Sequence, residues 1–169
     1  MAAILAREYP DVYAAACVHS GLPAGAARNL PEALQAMRAG FKGGSPSTPG
    51  VVRALRASAV PTIVLHGDQD RTVHPSNADA IVAAVLRDAH VSIRDVPQRT
   101  ETRDTKGRRV VRATYVDANG HSLVEQWTLH GAGHAWSGGS TEGSWTDAHG
   151  VDATAEMMRF FAEHPKRPS

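Results

Sequence analysis

Apolar positions along this chain change rhythm between continuous runs and a helical repeat, and the changes mark its elements. "AAILAREYPDVY" reads as a short helix stopped before Pro10. The run "YAAACVHSG" that follows is continuously apolar and closed by a turn, the pattern of a strand buried on both faces. Residues 21–60 alternate Gly, Pro and Ser clusters with two short helical patterns, "PEALQAMRA" and "GVVRALRAS". "VPTIVLHGDQD" then predicts the clearest strand, Thr62 to Gly67, β-branched and apolar. In "SNADAIVAAVLRD", Ala78, Ile81, Val82, Val85 and Leu86 recur at helical spacing and make one apolar face. "HVSIRDV" predicts a further strand. Residues 108–117 and 121–131 are β-rich and flank Asn119-Gly120, the sequence of a tight hairpin turn. Asp152 is placed to cap a last helix with Ala153, Met157, Phe160 and Phe161 as its buried stripe. Strand and helix in alternation predict an α/β fold, a mostly parallel sheet flanked by helices, with the hairpin near 108–131.

Composition narrows the classes of function. The 169 residues suit one domain, and no linker or internal repeat divides them. A formal net charge of +1 gives no field that would gather nucleic acid or an anionic membrane. The densest basic stretch, "RTETRDTKGRRVVR", is broken by Glu101 and Asp104 and reads as a solvated hairpin rather than a nucleic-acid surface. Cys17 stands alone in an apolar run, so cysteine builds neither a disulfide framework nor a metal site, and the residue reads as a small buried hydrophobe. No apolar segment is long enough to span a membrane. The start, "MAAILAREYP", lacks a basic n-region and resembles the middle of a helix more than a signal peptide.

In open α/β sheets the loops at the carboxyl ends of the strands carry the chemistry. Two such loops hold titratable groups here. "HGDQDRTVHP" places Asp68 and Asp70 after the central strand, and "LHGAGHAWSGGS" places His134 after the last one. A carboxylate on one loop can fix the tautomer of an imidazole on the next and support its positive form, which is two-thirds of a nucleophile–base–acid triad. Each residue also has a plainer role: Asp70 can cap the helix starting near Pro75, and His134 can bond to backbone. Metal is the third reading, since His130 and His134 are four apart, but Gly131 and Gly133 argue against a helix there, and no glutamate follows in the metalloprotease pattern.

"VPTIVLHGDQDRTVHP", "GAGHAWSGG", "DATAEMMRFFAEHP" and "VHSGLPAGAA" together resemble the polyhydroxybutyrate depolymerase esterases, a family of α/β-hydrolases. The resemblance runs over almost the whole chain. It implies that Asp70 is the triad acid and His134 the base, with no catalytic role for Asp68. It also implies that Trp136 and Trp145 line the acyl or polymer site; packing under a glycine-rich loop is their alternative role. No cofactor is implied. The substrate would be a short polyhydroxyalkanoate or another ester.

The family's serine sits in a G-x-S-x-G elbow upstream of both acid and base. No serine of this chain, Ser20, Ser45, Ser137 and Ser140 included, has glycine at both minus-two and plus-two. The resemblance therefore implies that residues 1–169 are the C-terminal part of a single α/β-hydrolase domain, an incomplete one, with the nucleophile and oxyanion hole upstream of Met1. This chain alone is then expected to be inactive. A strand near Ala14–His19 without a neighbour on one side would favour self-association through the open sheet edge. The second reading is a non-catalytic ester- or polymer-binding remnant of the fold. The family implies secretion, which these residues do not themselves signal.

Overall fold

The computed structural model describes residues 1–41, 59–90, 97–117 and 119–166. Five strands form one sheet in the order β1-β2-β5-β4-β3: β1 (Ala16–His19), β2 (Thr62–Gly67), β3 (Gln98–Arg103), β4 (Arg109–Val116) and β5 (Ser122–Leu129). β1, β2 and β5 are parallel, whereas β3 and β4 pair antiparallel, so the sheet is mixed, with as many antiparallel as parallel pairings, rather than mostly parallel. The reason is the chain between β2 and β5. It folds as a meander in which β3, β4 and β5 pair as successive neighbours, and short connections can join only antiparallel strands.

β2 lies between two parallel partners and all six of its residues are buried. Its alternating side chains feed two cores. Val64 joins Val18, Val124 and the helix α3 (Ser76–Asp88), which contributes Ala78, Ile81, Val82 and Leu86. Ile63 and Leu65 point the other way, toward Trp127, Leu129 and the helix α4 (Ala153–Glu163), whose Phe160 is fully buried. The helical spacing read along both segments is the spacing of these contacts, with Val85, Met157 and Phe161 half-buried at the margins.

Two caps follow from side chains that the sequence places at helix starts. Asp152 accepts the Ala155 N–H of α4, and Asn29 accepts the Glu32 N–H of α2 (Leu30–Ala39). α4 is also tied to the sheet through a buried carboxylate. Glu125 on β5 accepts from Trp127 Nε1 at 3.1 Å and from Arg159 at 2.6 Å, which gives the buried charge its counter-ion.

Several expectations need adjustment. β1 occupies the edge of the described sheet, so only Ala16 and Val18 are buried, against α1 (Ala2–Glu8) and β2, while Cys17 and His19 are half-exposed. Burial still raises the Cys17 thiol to about 11, so the side chain behaves as a hydrophobe. The basic stretch from Arg99 is a hairpin, and all six residues of β3 are exposed. Its tip is not free, however: Arg108 bridges Asp104 and Asp147, and Thr105 Oγ1 donates to the His149 carbonyl. The hairpin thereby braces the glycine-rich loop that follows β5. The helix pattern at 50–58 and the strand pattern "HVSIRDV" lie outside the described residues, apart from His90.

Candidate active site

The carboxyl ends of the three parallel strands meet at one edge of the sheet, and each has a histidine within one residue of its end. His19 closes β1, His66 is the penultimate residue of β2, and His130 follows β5. Beyond β2 the chain turns through Asp68 and Asp70, and beyond β5 through His130 and His134. The two turns are pressed together because Gly67 has no side chain. A Cβ on Gly67 would collide with the Ala132 carbonyl oxygen, so any other residue would push the turns apart.

Asp70 is the centre of the arrangement. Its Oδ1 accepts the backbone N–H groups of Thr72 and Val73 at 2.9 and 2.8 Å, which orients the carboxylate. Its Oδ2 accepts His134 Nδ1–H at 2.8 Å, and His66 Nε2 lies 3.3 Å from the same oxygen. Burial alone would raise this carboxyl, but the Val73, His134 and Thr72 donors outweigh it and hold it below its usual range. The group is therefore ionised and can only accept, which assigns the proton to His134 Nδ1 and leaves Nε2 as a lone pair. The Asp70 carboxylate is fully buried, whereas the His134 side chain is one-third exposed. The helix-cap role does not hold: α3 starts after Pro75 with no side-chain cap, and Asp70 instead closes its own turn.

Sequence reasoning missed two imidazoles that pack against this pair. His66 donates Nε2–H to the Val73 carbonyl at 2.9 Å; burial lowers its pKa first, partly offset by that bond and by Asp70. His19 accepts the Ser137 N–H through Nε2 at 3.2 Å and stacks on Trp136, centroids 4.9 Å apart. Burial, then His66 and His134, lower His19 to about 4, and Asp70 opposes them. Both rings are thus neutral near neutral pH. The available signal was positional: "VHSG", "LHGD" and "LHGAG" each put a histidine and a glycine at a strand end.

A pH prediction follows. An unfolded His19 titrates near 6.5, the ordinary imidazole value, whereas the folded one titrates near 4. Acid protonates the unfolded form first, so this contribution to stability is complete above about pH 6.5 and is lost as pH falls toward 4. The thermal midpoint is expected to decline through that window, and less steeply in His19→Gln. An identical profile in the two proteins would remove His19 as the cause.

Trp136 is half-buried, its Nε1 donating to Thr154 Oγ1, and its backbone N–H bonds to the Trp145 carbonyl. That bond belongs to a small parallel pair, β6 (Trp136–Ser137) with β7 (Thr146–Asp147). Trp145 itself is 72% exposed, so packing under the loop does not account for it. The structure brings Asp70 and His134 together, sets Trp136 beside them through His19, and leaves Trp145 on the rim. His130 does not join His134 around a metal, since its ring bonds to Asp68 at 2.7 Å, and no cluster of three ligating side chains occurs among the described residues. Ser20 has a buried hydroxyl without a partner and a left-handed backbone, φ 50°, but no hydrogen bond to His134.

At the carboxyl ends of β2 and β5 the structure thus holds an imidazole supported by a carboxylate, its Nε2 without a hydrogen bond among the described residues. A model of the family described as Esterase PHB depolymerase matches residues 1–107. The chain belongs to the esterase PHB depolymerase family. The matched residues include Asp70 and end before His134. The chain is also 30% identical over 142 residues to the "Poly(3-hydroxyalkanoate) depolymerase C" of Paucimonas lemoignei. That alignment covers 79% of this chain and 32% of the relative, so the chain spans about a third of the length of the curated protein it matches. The mixed sheet with its flanking helices is compatible with the α/β architecture of that family.

Proposed function

We propose that this chain supplies the acid and base of a serine esterase acting on short polyhydroxyalkanoates or related esters. The observation that carries the reading is the Asp70–His134 bond at 2.8 Å, with His134 Nε2 unpartnered among the described residues. In the reaction, Nε2 takes the proton from a serine hydroxyl as it attacks the ester carbonyl. The resulting imidazolium, stabilised by Asp70, returns the proton to the leaving alkoxide. Water then repeats the sequence to release the acid. Asp70 remains ionised throughout and acts by orientation and charge. Trp136 and Trp145 offer apolar faces beside the site for the acyl chain or polymer, with Trp136 held by His19 and Thr154.

None of the serines in these 169 residues stands in a G-x-S-x-G elbow. The nucleophile and the oxyanion donors are accordingly assigned to sequence outside them. The test compares the 169-residue chain with the same chain joined at Met1 to the G-x-S-x-G-bearing segment of a family member. Hydrolysis of p-nitrophenyl butyrate is expected only from the joined protein. Turnover by the chain alone, abolished by Ser20→Ala, would overturn this assignment. Polymer contact is tested separately. Trp145→Ala is expected to weaken binding to poly(3-hydroxybutyrate) granules by about tenfold, the scale of a lost exposed aromatic anchor, at an unchanged thermal midpoint. Unchanged granule binding would remove Trp145 from the site.

A further inference from the structure

Beside the Asp70–His134 pair lies a second Asp–His pair that the proposed reaction does not use. Asp68 Oδ2 accepts His130 Nδ1–H at 2.7 Å, and Asp68 Oδ1 accepts the Gly131 N–H at 2.7 Å. The backbone repeats the attachment: Asp68 N–H donates to the Leu129 carbonyl at 3.2 Å, and Gln69 N–H to the Ala132 carbonyl at 3.0 Å. Residues 68 and 69 thus grip residues 129–132 at four points, and His134 follows two residues later. Besides this grip the turn is held by the His130 N–H, which donates to the Arg109 carbonyl at 3.0 Å, and by buried Ala132, and both of these supports also precede His134. Gly131 is in the left-handed region at φ 77°, and nothing lies within 4 Å of where a Gly133 side chain would be.

We propose that Asp68 is a positioning residue for His134: by anchoring His130 and Gly131 it holds the turn that presents the His134 ring to Asp70. The alternatives are weaker on the same observations. A metal site would need a third ligand near His130 and Asp68, and none is present among the described residues. The carboxylate role toward His134 is taken by Asp70, whereas Asp68 accepts from His130 and Gly131. A carboxylate suits the anchor better than a neutral side chain. It can only accept, and it faces two donors, one of them an imidazole, so its bonds are the stronger charge-assisted kind. Burial works against the charge, but the Gly131 N–H and His130 bonds outweigh it and lower the Asp68 pKa.

The inference rests on reading His134 as the base, but its test needs no turnover. In the 169-residue protein labelled with ¹⁵N-histidine, the His134 Nδ1–H bonded to Asp70 gives a low-field proton signal whose solvent exchange reports how often that bond opens. Asp68→Ala is expected to speed this exchange roughly tenfold, as loss of a charge-assisted hydrogen bond would, while the amides of β2 and β5 keep their protection. Asp68→Asn, which keeps an oxygen for Gly131 without the charge, is expected to fall between the two. Wild-type exchange in both variants would overturn the proposal. So would loss of β2 and β5 protection in Asp68→Ala with wild-type exchange in a folded Asp68→Asn, because Asp68 would then support the fold rather than the histidine. Should esterase activity fail to appear in the joined protein while Asp68→Ala still releases His134, the anchor stands and only the catalytic reading falls.

Discussion

His134→Ala, in the protein completed with a serine elbow, is expected to lower kcat for p-nitrophenyl butyrate by about 10⁶, the loss typical when a serine hydrolase is deprived of its base. Asp70→Asn is expected to cost about 10⁴. The second figure is the more informative, because asparagine fits the site without disturbing it. Its oxygen can still accept the Thr72 and Val73 N–H groups that Oδ1 receives now. Its amide, however, presents an N–H to His134 Nδ1, where the carboxylate presents only an acceptor. The imidazole then takes the tautomer with its proton on Nε2 and can no longer receive one from serine. A normal thermal midpoint with activity reduced four orders of magnitude would isolate that tautomer effect. A reduction smaller than about tenfold would show that Asp70 only closes its turn.

The largest effect on stability is expected at Phe160. Its side chain is fully buried at the meeting of α4 with Ile63, Leu65, Trp127 and Leu129, and the His164 ring packs 4.1 Å from it. Phe160→Ala removes an aromatic ring and leaves a cavity that the surrounding strands cannot close without moving. The expected loss is about 3–5 kcal/mol. Urea denaturation followed by Trp127 fluorescence reads it directly. A shift below about 1 kcal/mol would mean that α4 repacks freely, which would contradict its attachment through Glu125 and Arg159. Domains of this size commonly have only about 5–15 kcal/mol in hand, so one residue on the face opposite α3 carries a large share of the margin.

The parts of the fold that read most clearly from the chain were those set by local periodicity. Thr62–Gly67, Ser76–Asp88 and the Asn119-Gly120 hairpin follow from runs in which every apolar residue has one face to fill. Asp70 and His134 were legible for a different reason: each follows a strand, and the sheet order brings those strand ends together. The antiparallel pairings of β3, β4 and β5 were legible as hairpins, but their place as an extension of the main sheet was not. β3 buries nothing, so its sequence carries polar alternation without an apolar face to mark it. The roles of His19 and His66 were hidden as well. A histidine in an apolar run looks the same whether it packs, stacks or donates, and here only the parallel register sets them beside Asp70. Asp68 illustrates the same limit, since its partners His130 and Gly131 lie more than 60 residues further along.

That separation also bears on how the molecule assembles. β3, β4 and β5 are sequential neighbours joined by short turns, so their meander can form with little loss of chain entropy. The parallel contact of β2 with β5 must close a far longer loop, and the bond between His134 and Asp70 spans 64 positions. Long-range closure of this kind is expected late in folding. A chain halted at the meander stage carries the imidazole without its carboxylate, and acquires a working proton acceptor only when the central strand docks. The Asp70–His134 pair, the proposed acid and base, is therefore assembled in the same step that joins β2 to the meander.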